Sequence, residues 1–195
     1  MNRPSRFLLL ALTAVLHTAC VEPNAAFLPD REPGGAVLAS ARAGGPDLSR
    51  LATFKTPPSV TVAWAKQWIG PAGGRLEFNG FAIDVPAGAV SRTTQFSIRL
   101  PVDPSGAEHV VAEFGPHEAT FAVPVTIELP YAGTSLEGAL WSGTVLWWDP
   151  SSRDWVDMGS SLTADGLRIS TTTSHFSIYG AGSLFRSGGV TVSGG

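Results

Sequence analysis

Residues 73–88 read GGRLEFNGFAIDVPAG. At its centre, Asn79-Gly80 tolerates positive φ at both positions, which suits a tight two-residue hairpin turn. The runs on either side, RLEF (75–78) and FAIDV (81–85), are short and carry large apolar residues. Pro86-Ala87-Gly88 then turns the chain out of the second run, since proline fixes φ and glycine can take positive φ. The same alternation of strand and turn continues outward in both directions. Further runs are VTVAWA (60–65), QFSIRL (95–100), HVVAEF (109–114), PVTIEL (124–129), TVLWWD (144–149), RDWVDM (153–158), GLRISTTT (166–173) and HFSIYG (175–180). Gly70-Pro71, Asp103-Pro104-Ser105-Gly106, Asp149-Pro150-Ser151-Ser152 and Asp165-Gly166 punctuate them. Short strands at about 8–12-residue spacing with such turns predict an all-β fold, an antiparallel β-sandwich over residues 59–182.

Composition agrees. Twenty-two Gly and 15 Pro in 195 residues argue against a helix bundle. Six Trp and ten Phe require a core. Thirteen Lys and Arg against 16 Asp and Glu give a net charge of −3, which speaks against a surface that tracks nucleic-acid phosphates. A single Cys excludes an intramolecular disulfide.

The chain begins MNRPSRFLLLALTAVLHTAC. Arg3 and Arg6 precede an apolar run, Phe7 to Leu16, too short to span a bilayer, which is the pattern of a secretory signal over residues 1–19. Thr18 and Ala19 lead to the lone Cys20, and this arrangement resembles the lipobox of bacterial lipoproteins. His17 stands where that pattern has Leu, Val or Ile. The resemblance implies lipid on Cys20 and attachment to a membrane of the cell envelope; Val21 in place of aspartate implies the outer membrane. The alternative is an ordinary secretory signal cut nearby. Loss of Arg3 and Arg6 takes the net charge from −3 to −5, so the lipid, not the protein surface, is expected to hold the chain to anionic headgroups. Residues 20–58 read as a flexible tether and 183–195 as a Gly/Ser-rich tail.

Three ordered motifs then resemble the ZU5 domain family. Ile69-Gly70-Pro71-Ala72-Gly73-Gly74, followed by Ala82 to Ala89 with Pro86 and Gly88, is similar to the family's Gly-Gly turn and "IPxGA" opening. Phe114-Gly115-Pro116 through Phe121 to Pro124-Val125 is similar to "xGPxGxxFxxPV", with Glu118 where the family usually has Gly. Thr173 to Tyr179 is similar to the family's ending. The resemblance spans roughly Trp68 to Ala181 and implies a β-sandwich that mediates protein–protein contact, without a second, UPA-like domain. The motif residues are expected to be structural: Phe121 and Val123 alternate inward, and Pro124, lacking an N–H, belongs at an edge or a strand start.

Chemistry is sparse in the sequence. His109, His117 and His175 fall in three separate runs, no metal-ligand spacing is present, and no metal or cofactor is assigned. His109 is expected to start a strand in water and His117 to be a polar turn residue. His175-Phe176-Ser177 is similar to a tripeptide at which certain ZU5-containing proteins cleave themselves. That resemblance implies Ser177 as nucleophile on the Phe176 carbonyl carbon, with His175 as base. The plain alternative is a closing strand with Phe176 and Ile178 toward the core and His175, Ser177 and Tyr179 on the other face. Trp147 and Trp148 cannot both face inward; with Trp141 and Trp155 they suggest either a hairpin with cross-strand aromatic pairing or a sugar-stacking surface. The sequence therefore predicts a lipid-anchored, non-enzymatic protein-binding or scaffolding sandwich. Self-cleavage at Phe176–Ser177 and carbohydrate binding are the alternatives.

Overall fold

The computed structural model describes residues 46–59, 63–101, 107–117, 119–138 and 143–183. Cys20, Trp141, Glu118 and the tail after Ser183 lie outside them. The hairpin at Asn79-Gly80 forms as its sequence dictates: Asn79 (φ 49°) and Gly80 (φ 84°) join β2 (Gly74–Phe78) to β3 (Phe81–Val85) with Phe78 opposite Phe81. Leu76, Phe81, Ile83 and Val85 turn to the interior. Asp165-Gly166 behaves differently, since only Gly166 takes positive φ and the pair sits in the loop from β9 (Ser161–Leu162) to β10 (Arg168–His175).

The remaining strands are β1 (Trp64–Ile69), β4 (Thr94–Arg99), β5 (Val111–Gly115), β6 (Thr120–Pro130), β7 (Gly143–Asp149), β8 (Asp154–Asp157) and β11 (Ile178–Ser183). They form two antiparallel sheets, a six-stranded one ordered β1-β4-β5-β11-β7-β8 and a five-stranded one ordered β2-β3-β6-β10-β9. Inward residues of both sheets make one core, with Phe81, Phe96, Ile98, Phe114, Ile127, Leu129 and Tyr179 wholly buried. The fold is an all-β sandwich. The chain passes between sheets several times, and most tightly from β10 to β11, where only Phe176 and Ser177 intervene.

Four expectations need correction. β1 runs from Trp64 to Ile69 and so continues past the run expected over 60–65, of which residues 60–62 lie outside the described residues. Pro124 is inside β6 and Val123 is 41% exposed, while Phe121 and Val125 are both buried. The cause is a bulge: Thr173 pairs with Val125 but His175 pairs with Thr120, so residues 121–124 have no one-to-one partners. A bulge accommodates a proline without losing a ladder bond and turns Val123 outward. Tyr179 faces the core and Ile178 the opposite side, because the two-residue crossing resets the alternation that a single strand would keep.

The tether also ends earlier than residue 58. A 3-10 turn, Leu48–Arg50, capped by the Asp47 carboxylate, leads into a strap over residues 51–55 that docks on the sandwich. Ala52 donates to the Ala181 carbonyl (2.8 Å) and accepts from the Val110 N–H (2.8 Å); Leu51 bridges to Gly182 and Thr53 to His109. Thus His109 meets a backbone partner in the strap. Leu48 and Leu51 cover Val111, Leu146, Trp148, Trp155 and Ile178 on the outer face of the six-stranded sheet. Glycines make this approach possible: a Cβ on Gly180 would sit 2.6 Å from Leu51 Cδ2, and one on Gly182 would collide with the Arg50 carbonyl oxygen. Substituting Gly182→Ala should therefore cost about 1–3 kcal/mol in urea denaturation, and should speed hydrogen exchange at the Ala52 amide.

Candidate functional site

The crossing from β10 to β11 holds the His175-Phe176-Ser177 tripeptide. Thr173 Oγ1, Tyr179 Oη and the His175 carbonyl oxygen lie 2.8–2.9 Å from one another. Three oxygens share two hydroxyl protons, so two of the three contacts are hydrogen bonds at any moment. Burial pushes the Tyr179 phenol up to about 12, with the Thr173 contact pulling the other way. The Phe176 ring is buried against Phe121 (4.7 Å), Phe96 (5.8 Å) and Phe114 (6.1 Å). The His175 imidazole meets the Trp147 indole edge to face at 4.9 Å, and both His175 Nε2 and Trp147 Nε1 are buried without a partner. No hydrogen bond joins His175 to Ser177; the Ser177 carbonyl instead accepts from the Phe114 N–H at 2.9 Å.

The ZU5-resembling residues come together as turns. Gly88 donates to the Pro71 carbonyl at 2.8 Å, locking the 70–74 turn against the 86–89 turn. Gly73 (φ 83°) lies where a Cβ would strike the Val85 carbonyl. Gly115 packs on Ser97, Pro116 follows a cis peptide, and Phe121 stacks on Phe96 at 5.9 Å. Between the 88–94 loop and the 116–122 segment lies an open groove of about 440 Å³. Buried Ala89 and Phe121 and half-buried Val90 and Ala119 face it, with Ser91, Arg92, Thr94, His117 and Thr120 around them. His117 Nε2 lies 2.6 Å from Oε1 of buried Glu113, whose Oε2 has no partner. That pair was not legible in the sequence; the four-residue spacing across a turn was its one signal.

The tryptophans divide by location. Trp148 and Trp155 pack edge to face at 5.5 Å across the β7–β8 hairpin, and the Trp155 indole N–H donates to the Asp47 carbonyl (2.6 Å). Trp147 and Trp148 are both covered because β7 has the core on one face and the strap on the other. Among the described residues the exposed indoles are Trp64 (43%) and Trp68 (66%), on β1. The reading of residues 60–65 as one strand concealed them; the alternation of Trp64, Lys66 and Trp68 was the available signal.

On the outer face of the five-stranded sheet, Arg75 and Arg168 are interleaved with Glu77, Asp84 and Glu128. Hydrogen bonds from Arg75 hold the Glu128 carboxyl below its usual range, whereas burial, then Glu128, raises that of Asp84 despite its own pairing with Arg75. Two arginines thus tie three carboxylates into one ion-pair network.

Among the described residues no group of three or more His, Cys, Asp and Glu side chains could hold a metal ion. No helix among them is long and apolar enough to cross a membrane. No family model matches the sequence, and no curated protein matches it either.

The Tyr179 phenol sets a prediction. Its native value lies above the unfolded value of 10.0, so the stability it contributes is complete below pH 10 and is lost as pH rises through about 12. Tyr179→Phe should cost about 1 kcal/mol at neutral pH. The gap between parent and variant in urea denaturation should shrink between pH 10 and 12.

Proposed function

We propose that the chain is a non-enzymatic protein-binding or scaffolding module of the cell envelope. On this reading, lipid on Cys20 holds it to the outer membrane, and the ZU5-like sandwich presents the groove between residues 88–94 and 116–122 to a partner protein. The observation that carries the reading is the groove itself. An apolar floor at Ala89, Val90 and Phe121 within a polar rim is the anatomy of a protein interface, and Gly88, Ala89, Pro116 and Phe121 along it belong to two of the three ZU5-resembling motifs.

The competing reading is self-processing at Phe176–Ser177. In its favour, that peptide stands alone between two sheets, and His175 has a buried ring nitrogen without a partner. Against it, the imidazole packs on Trp147 and no hydrogen bond links it to Ser177. Binding therefore has the better support.

A photo-crosslinking residue at Thr120, on the rim, tests the binding role in intact cells. The expected result is one discrete adduct that co-expressed wild-type chain competes away. The same residue at exposed Leu167 should give none. No adduct at Thr120, or the same adducts at both positions, would remove the groove as the binding site.

A further inference from the structure

Of the Lys and Arg side chains among the described residues, Arg92 alone has no partner. Arg50, Lys55, Arg75 and Arg168 each pair with a carboxylate, and Lys66, Arg99 and Arg153 have partners too. Arg92 is exposed and lines the groove between residues 88–94 and 116–122. Thr94 Oγ1 donates to the Arg92 carbonyl (3.0 Å), which ties the backbone of that loop to the start of β4. On the other wall stands His117, whose Nε2 is already taken up by Glu113 at 2.6 Å. None of the described residues lining the groove is acidic, although the chain carries a net charge of −3. The groove therefore sets one unpaired guanidinium beside the apolar floor of Ala89, Val90 and Phe121.

We propose that the groove takes an acidic peptide segment of the partner protein, with an apolar side chain seated on the floor and a nearby Asp or Glu paired with Arg92. The inference rests on the binding role proposed above and names the chemistry of that partner. Arginine holds a carboxylate through two parallel N–H bonds, and a guanidinium without an internal partner gives up no bond to do so. A charge set beside an apolar floor selects a segment that carries both features. The concave shape suits a chain segment that can enter it, whereas a flat bilayer would meet only the rim. A single cation does not track a run of phosphates, so nucleic acid fits less well.

The test uses the chain without residues 1–20, which keeps every described residue. Random peptides of about 12 residues, displayed on phage through their C-termini, are selected on it. The expected pool places Asp or Glu within about two residues of Leu, Ile, Val or Phe. A synthetic copy of the leading peptide is then titrated by fluorescence polarisation. Arg92→Glu should weaken its binding at least about tenfold, and Arg92→Lys should weaken it less. The same peptide with Lys in place of its acid should prefer Arg92→Glu to the parent. Thr120→Trp, which sets an indole on the rim, should block the peptide. Arg92 is exposed and unpartnered, so its replacement leaves the fold intact, and circular dichroism checks this. A pool without acids, or equal binding by Arg92→Glu and the parent, overturns the assignment. If Thr120→Trp still blocks those peptides, the groove remains a binding site and the role proposed above stands. A pool that Thr120→Trp does not block binds elsewhere and also overturns the assignment; crosslinking at Thr120 in cells judges the binding role separately.

Discussion

The structure depends on how the chain leaves one sheet and enters the other at Phe176. Packed sheets stand about 10 Å apart, and three Cα–Cα steps, from His175 to Ile178, span about 10 Å when extended. A two-residue crossing leaves no slack, so its backbone must run nearly straight through the midplane of the core. The Phe176 side chain is then delivered to the centre, where it meets Phe121 of the five-stranded sheet and Phe96 and Phe114 of the six-stranded one. Thr173 and Tyr179 bond the His175 carbonyl at the point of departure, and Phe114 bonds the Ser177 carbonyl at the point of arrival. The His175 and Ser177 carbonyls that the crossing takes out of the ladders thus recover partners.

Other features follow from this. Since β11 enters the middle of the six-stranded sheet, its far face needs a cover, and Leu48 and Leu51 provide one. Gly180 and Gly182 lie on β11 because only a strand without Cβ atoms lets the strap backbone approach so closely. The five-stranded sheet solves the same problem with charge: Arg75 and Arg168 lie across Glu77, Asp84 and Glu128, and leave Ala82 buried beneath them. Among the described residues, none of these devices covers the groove between residues 88–94 and 116–122.

Local rules carried the fold a long way. The Asn79-Gly80 turn, the FAIDV strand and the β7–β8 hairpin with Trp148 against Trp155 were all legible, because each is decided by residues close in sequence. The failures arose where tertiary contact decides. The bulge that moves Val123 and Pro124 exists because β6 must serve β10 on both sides of a register shift. The strap looked like a tether because its apolar residues, Leu48, Leu51 and Ala52, have no period of their own and find their partners about 60 to 130 residues away. The Glu113–His117 pair and the exposed Trp64 and Trp68 depend on which face of the sheet is left bare. Composition alone does not decide that.

The proposed binding role rests on the crossing being structural. If Phe176 and Ser177 serve to close the core, the bond between them stays intact. Intact mass spectrometry of the purified chain under denaturing conditions tests this directly, since a fragment held by its strand pairing would then separate. The account predicts a single species carrying both His175 and Ser177. A second species beginning at Ser177, absent from Ser177→Ala, would contradict it and make the tripeptide a self-processing site.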